Sequence, residues 1–263
     1  MLRQIYSARN LIWILAQREV QSKFQGSTLG VLWILLTPLL MLAVYTLVFS
    51  TVFKSRWPGI NHDGPFAYAI VLFSSLILFQ IFSEVIGRSP LLVTSNPNYV
   101  TKLVFPLEIL PVVALIATVM QAMVSLGILL VFHLFLMGIP PATALLVPIA
   151  VTPLLMMILG LSWLLASLGV FLRDLGQLIG WMVTVIMFTS PVFFPMSSVP
   201  PLMQKWMLIN PLTLPLEWVK SLLFLGTLPE PKGFIIYTVV AALVFNLGYL
   251  WFTRTKKAFA DVL

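Results

Sequence analysis

Few residues in this chain are of types that do covalent or proton chemistry, and their spacing keeps them apart. Cysteine is absent, the two histidines, His62 and His133, are far apart, and no H-E-x-x-H occurs. Thiolate chemistry and Cys-based metal sites are therefore excluded. Ser125 and His133 fall on one apolar run, but eight residues of helix rise about 12 Å, too far for a nucleophile and its base. His62 reads as a solvated loop residue, and His133 as a packing histidine near one end of its run. None of the eight lysines follows a glycine, so the G-x-x-x-x-G-K-[ST] loop that cradles ATP phosphates is missing. A proton relay needs ionisable groups deep inside apolar segments. Glu84 with Arg88, and Arg173 with Asp174, instead fall at the ends of such segments and read as local pairs. The sequence thus offers no catalytic residue and no metal ligand set.

What it offers is rings, 13% of residues. Trp33, Thr37, Met41, Tyr45 and Phe49 recur every fourth position, Phe79 and Phe82 share a helical face, and so do Trp181 and Phe188. Such stripes serve as packing or as interfacial belts in membrane helices. Uncharged aromatic faces also suit a sugar chain in transit, because the C–H faces of pyranoses stack on rings without binding tightly. Both readings stand, and in the second these seven aromatics line a pore.

The elements that must position these rings follow from composition. Of 263 residues, 60% are hydrophobic and 9% charged, against about 25% charged in soluble domains. Soluble and disordered classes are excluded. The net charge of +7 is spread over short polar gaps, which fits membrane topology signals rather than nucleic-acid binding. The start of the sequence lacks a compact apolar stretch followed by a small-residue cleavage site, so a cleaved signal peptide is not expected. A spanning helix needs about 20 apolar residues. Runs at 31–53, 66–86, 107–137, 142–171, 176–194 and 233–252 predict six. The alternation of a membrane barrel is missing. Six spans would leave ten Lys and Arg on the side of both termini and five on the other, which places the termini in the cytoplasm.

Three segments do not read as simple spans. Residues 9–25 carry Trp13, Ala16, Val20 and Phe24 on one face, with Glu19 and Lys23 four apart. They predict an amphipathic helix lying in the membrane interface, or an ordinary anchoring leader, with a bend through Gly26, Ser27 and Gly30. The gap after the second span, SNPNYVTKLVFPLEILP, opens with turn residues at Asn96, Pro97 and Asn98. A short helix is predicted over 99–104, too apolar at Tyr99, Leu103 and Phe105 for a solvated loop and suited to a partner protein. Residues 195–232 are apolar yet broken by Pro200, Pro201, Pro211 and Pro215. Two short helices near 200–209 and 213–225, meeting at Asn210-Pro211, predict a re-entrant external hairpin, or an amphipathic pair on the outer surface.

Over nearly its whole length the sequence resembles the membrane subunits of ABC-2 type polysaccharide exporters, the O-antigen, capsule and teichoic-acid group. The resemblance is carried by REVQSKFQGSTLGVLWILLTPLL (18–40), VYTLVFSTVFKSRW (44–57), SNPNYVTKLVFPLEILPVV (95–113), VFLRDLGQL (170–178), SPVFFP (190–195) and INPLT (209–213), in that order. The FKSRW and N-P-N-x-V-x-K-x-x-F-P-L-E-I-L-P stretches are most similar to the O-antigen branch.

The resemblance implies an all-α integral membrane protein, one ABC-2 domain over 1–263. Its parts would be an interface helix and bend over 1–30, spans one to five over 31–194, an external re-entrant gate over 195–232, and span six with its tail over 233–263. It further implies a homodimer in the bacterial inner membrane with two copies of a separate ATPase subunit, and a lipid-linked polysaccharide as cargo. ATP and Mg would reside on the ATPase, with no cofactor on this chain. By the same resemblance Arg18, Glu19, Asn96, Pro97, Asn98, Tyr99, Lys102, Leu103, Phe105, Arg173 and Asp174 would face the ATPase. Ser190, Pro191, Asn210, Pro211 and Lys220 would belong to the external gate. Many relatives carry Arg near the end of the second gate helix; Lys220 keeps that charge but loses the planar fork.

Overall fold

The computed structural model describes residues 6–48, 57, 66–101 and 105–262. Among these residues every regular element is helical, as expected where lipid leaves the backbone no solvent partner. In chain order the elements are α1 (Arg9–Ser22), α2 (Trp33–Tyr45), α3 (Ala67–Arg88), α4 (Pro97–Thr101) and α5 (Leu110–Met137). There follow α6 (Val147–Phe171), α7 (Leu175–Phe188), α8 (Pro201–Met207), α9 (Thr213–Lys220) and α10 (Pro231–Thr255). Five helical stretches are long and apolar enough to cross a membrane: Gly30–Val48, Ala67–Leu91, Leu107–Met137, Ala142–Phe171 and Pro231–Phe259.

Of the fifth expected crossing, 176–194, only α7 is helical, over 14 residues, about 21 Å, and turns follow it. Its end is set by Thr189, whose hydroxyl turns back onto the Val185 carbonyl at 2.8 Å, and by Pro191 beyond.

Helices α3, α6 and α10 form a close-packed frame. A Cβ on Gly248 of α10 would lie 2.0 Å from the Gly160 carbonyl oxygen of α6, and a Cβ on Gly169 would lie 2.0 Å from that of Pro90. Glycine lets the backbones approach to van der Waals contact, the device that replaces hydrophobic drive in lipid. Polar groups reinforce the same seams. Ser89 and Ser162 hydroxyls bond at 2.6 Å, Ser167 and Thr255 at 2.7 Å, and Trp163 Nε1 donates to the Glu108 carbonyl at 2.9 Å. The buried Glu108 carboxylate meets Lys256 Nζ at 3.2 Å, which ties the chain after α10 to the turn before α5.

Helix α1 packs along α5, and its buried residues are Ile12 and Ala16. The face expected from sequence is therefore shifted: Trp13 points outward, and Leu15 and Val20 flank the buried stripe. Gly26 and Gly30, at φ +84° and +49°, make the turn into α2 in the left-handed region that glycine tolerates.

Candidate functional site

A cavity of about 540 Å³ lies between α2, α3 and α5, reaching from Lys23 and Phe24 behind α1 to Phe193 behind α7. Four-residue spacing places Trp33, Thr37, Met41 and Tyr45 of α2 along one wall, with Phe73, Phe79, Gln80 and Ser83 of α3 opposite and Gln121 and Ser125 of α5 closing the side. Pro38 also borders the space and has no N–H to give the Ile34 carbonyl, which loosens α2 beside the cavity.

Three of the predicted ring positions, Trp33, Tyr45 and Phe79, sit on this wall. Phe82 does not and is corrected: it is 1% exposed inside the bundle core, since three residues along a helix turn the side chain by about 60°. Trp181 and Phe188 of α7 do not border this cavity and are 74% and 61% exposed. Phe188 stacks on Phe193 with centroids 5.9 Å apart. Phe49 lies outside the described residues.

The end of the cavity at Lys23 lies beside further charges. Glu19 and Lys23 do not rely on one another, as their spacing within α1 suggested. Lys23 pairs with Glu84 of α3, and Glu19 lies 2.6 Å from Arg88, which also approaches Glu84 at 3.7 Å. Two helices far apart in sequence are thereby joined by alternating charges. Arg18, next in sequence to Glu19, is exposed, and Arg173 and Asp174 in the turn between α6 and α7 are exposed too.

In the N-P-N segment the helix starts at Pro97, two residues earlier than predicted, because proline is well suited to a first helical position. Asn96 Nδ2 donates to the Leu92 carbonyl at 3.0 Å, while Pro97 and Asn98 are exposed. Tyr99 and Phe105 are not an open apolar patch. Each is partly buried, and they stack at 4.3 Å, which closes the loop on itself. Lys102 and Leu103 lie outside the described residues.

Beyond α7 follow the short helices α8 and α9. The expected break at Asn210-Pro211 holds: Asn210 Nδ2 donates to the Ile186 carbonyl at 2.8 Å and to Thr189 Oγ1 at 3.0 Å, so one side chain closes the end of α7. Tyr237 of α10 donates to the Pro211 carbonyl at 2.7 Å. Helix α9 is largely buried against α6 and α3, whereas α8 is exposed except at Gln204 and Met207.

Lys220 is buried. It donates to the Pro191 carbonyl and to Glu217 Oε1, the latter at 3.0 Å, and it lies 4.4 Å from the Trp57 ring. Three partners in three directions suit an ammonium better than a planar fork. Burial pushes the Lys220 amine below the usual lysine range, and the Glu217 carboxylate opposes that shift. Ser190 and Pro191 are buried under the same cluster, and the Tyr68 hydroxyl donates to the Phe193 carbonyl. His133 packs as expected, bonded through Nδ1 to the Gly138 carbonyl at 3.1 Å and stacked on Phe224.

Sequence reasoning missed Gln80, Ser83 and Gln121, although polar residues inside apolar runs were a visible signal. It also missed the pairing of Glu108 with Lys256, for which no local pattern exists.

Helices long and apolar enough to cross a membrane, around a ring-lined cavity whose one charged lining residue among those described is Lys23, make a multi-pass membrane protein. The profile of the ABC-2 type transporter family matches residues 10–224, and the chain belongs to that family. It is 26% identical to the O-antigen export system permease protein RfbA of Myxococcus xanthus, over 99% of this chain and 98% of that one. It is 23% identical to the Klebsiella pneumoniae protein of the same name, over 97% and 95% of the two chains. It is 25% identical to the polysialic acid transport protein KpsM of Escherichia coli, over 92% of each.

Proposed function

We propose that this chain is the permease subunit of an ATP-driven exporter that moves an undecaprenyl-linked polysaccharide, O-antigen in the first instance, from cytoplasm to periplasm. The observation that carries this reading is the cavity with Trp33, Tyr45 and Phe79 on its wall, in a chain similar end to end to permeases named for O-antigen export. Rings without charge let a polymer stack and move on. In this reading two copies of the chain meet at the exposed faces of α2 and α7. Six crossings, α7 with the turns after it serving as the fifth, leave both termini in the cytoplasm of a bacterial inner membrane.

Each copy binds a separate ATPase through Arg18, the Asn96–Phe105 segment and the Arg173-Asp174 turn; ATP and Mg belong to that partner. Closure of the ATPase pair pushes α1. The Glu19, Lys23, Glu84 and Arg88 contacts pass the motion to α3, α2 shifts, and the cavity opens toward its twin. The hairpin around Asn210, Pro211 and Lys220 acts as the external gate. Replacing Trp33 and Tyr45 together by Ala should cut surface polysaccharide at least tenfold while the permease still co-purifies with its ATPase; undiminished export would assign both rings to packing. Tyr99→Asp should release the ATPase in a detergent pull-down, and full co-purification would overturn the docking assignment. The likeness to a polysialic acid transporter supports a capsule polymer as the second reading. Deletion decides between them by which polymer leaves the cell surface.

A further inference from the structure

Two neighbouring hollows share a wall. One is the ring-lined cavity; the other is an open groove of about 280 Å³ between α1, α2 and α5, bordered by Val20, Val31, Met120 and Val124, with Gln17 and Gln21 on its α1 side. Ile34 and Gln121 border both. The Gln121 amide nitrogen is enclosed by protein and has no hydrogen-bond partner. A buried donor left unpaired is costly, so a side chain of this kind calls for an explanation such as a ligand. The last torsion of a glutamine is broad and roughly two-fold, which lets this amide turn between groove and cavity without moving its helix. On the cavity side Gln80 and Ser83 add further polar groups. An apolar groove, a polar pocket and an orphan donor between them match an amphiphile with a hydrocarbon tail and an oxygen-rich head.

We propose that Gln121 is the inlet residue of a lateral entry site for the lipid-linked cargo. The hydrocarbon chain lies in the groove, the head passes Ile34 into the cavity, and the Gln121 amide bonds an oxygen of the head, a phosphate or a sugar hydroxyl. A hydroxyl is donor and acceptor at once and pairs with the amide in either orientation. The inference rests on the export reading and adds the place where cargo enters.

The test uses the whole permease–ATPase complex in vesicles, with a photo-crosslinking residue at Val124 or at Ser83 and a lipid-linked oligosaccharide labelled in its sugar. Both positions should label with the native Gln121. In Gln121→Leu the Ser83 yield should fall roughly tenfold, the loss of one such hydrogen bond, while the Val124 yield persists and the complex still co-purifies. Val124→Trp, which fills the groove, should slow export several-fold, whereas Met123→Trp on the exposed side of α5 should not. Equal Ser83 yields in both backgrounds would overturn the inlet, as would normal export by Val124→Trp. So would equal Ser83 labelling by the same oligosaccharide freed of its lipid, because the groove would then have no role. If the native complex exports no polysaccharide at all, the export reading itself fails; if it exports and the variants match it, only the inlet does.

Discussion

Helices α2 and α3 border the same cavity and are almost equally apolar, with mean hydropathy 2.3 and 2.1 over their best windows, yet 11% of the first window is buried against 72% of the second. Hydropathy therefore says that each can live in lipid and nothing about which has protein neighbours. The divide extends through the molecule. Helix α3 belongs with α6 and α10 to a frame joined by glycine contacts and interhelical hydrogen bonds. Helices α2 and α7 bury little, only Pro38 and Leu42 in the first and Ile179 in the second. A frame that closely packed has one arrangement, whereas elements with few buried contacts open or shift at low cost. That is the division of labour an exporter needs.

The largest effect belongs to the frame. Gly248→Leu should abolish the folded protein, and even Gly248→Ala should cost upward of about 3 kcal/mol, since its new carbon would overlap the Gly160 carbonyl. Denaturant titration of the protein in micelles checks this against Gly180→Ala on α7, where open space surrounds the position; equal stability of the two variants would break the comparison. Next comes Trp163, 0% exposed between Phe245 and Tyr249. Trp163→Ala removes that packing and strands the Glu108 carbonyl, and should cost about 3–5 kcal/mol in the same titration.

Lys256→Met leaves the buried Glu108 carboxylate without its cation. Breaking a buried pair costs about 3–5 kcal/mol; Lys256 keeps a third of its surface, so about 2 kcal/mol is expected. Lys256→Arg should recover most of it. Smaller still is the charged link between α1 and α3. A double-mutant cycle of Glu19→Gln and Arg88→Met should give a coupling of about 1 kcal/mol that shrinks as salt rises. A coupling of zero would strike Glu19 and Arg88 from the proposed link between the two helices and leave it to Lys23 and Glu84.

How much of this was legible in the sequence depends on whether the signal is local. The third and fourth expected spans, 107–137 and 142–171, coincide with the helical stretches found, because lipid imposes length and composition on each alone. The break at Asn210-Pro211 was legible for the same reason: proline chemistry is local. Relations between elements were not legible. Phe82 shares a helical face with Phe79 within about 60°, yet only the arrangement of α5 and α7 around α3 decides that one ring borders the cavity and the other is core. Glu19 has a well-placed Lys23 four residues on, but an acid on another helix claims that lysine. The shortness of α7 was masked by 189–194, as apolar as helix but turned by Thr189 and Pro191.

The finest test sets two tryptophans of one chain against each other. Trp181 stands on α7 with most of its ring outside the protein, so in the isolated subunit it has little to lose. Trp181→Ala should change stability in micelles by no more than about 0.5 kcal/mol, nearly ten times less than Trp163→Ala. A large loss would mean that α7 belongs to the frame after all. A small loss leaves the ring free for another surface. The same variant should therefore show its effect where copies of the chain associate: crosslinking between α7 helices in native membranes should weaken while the unfolding curve stays in place.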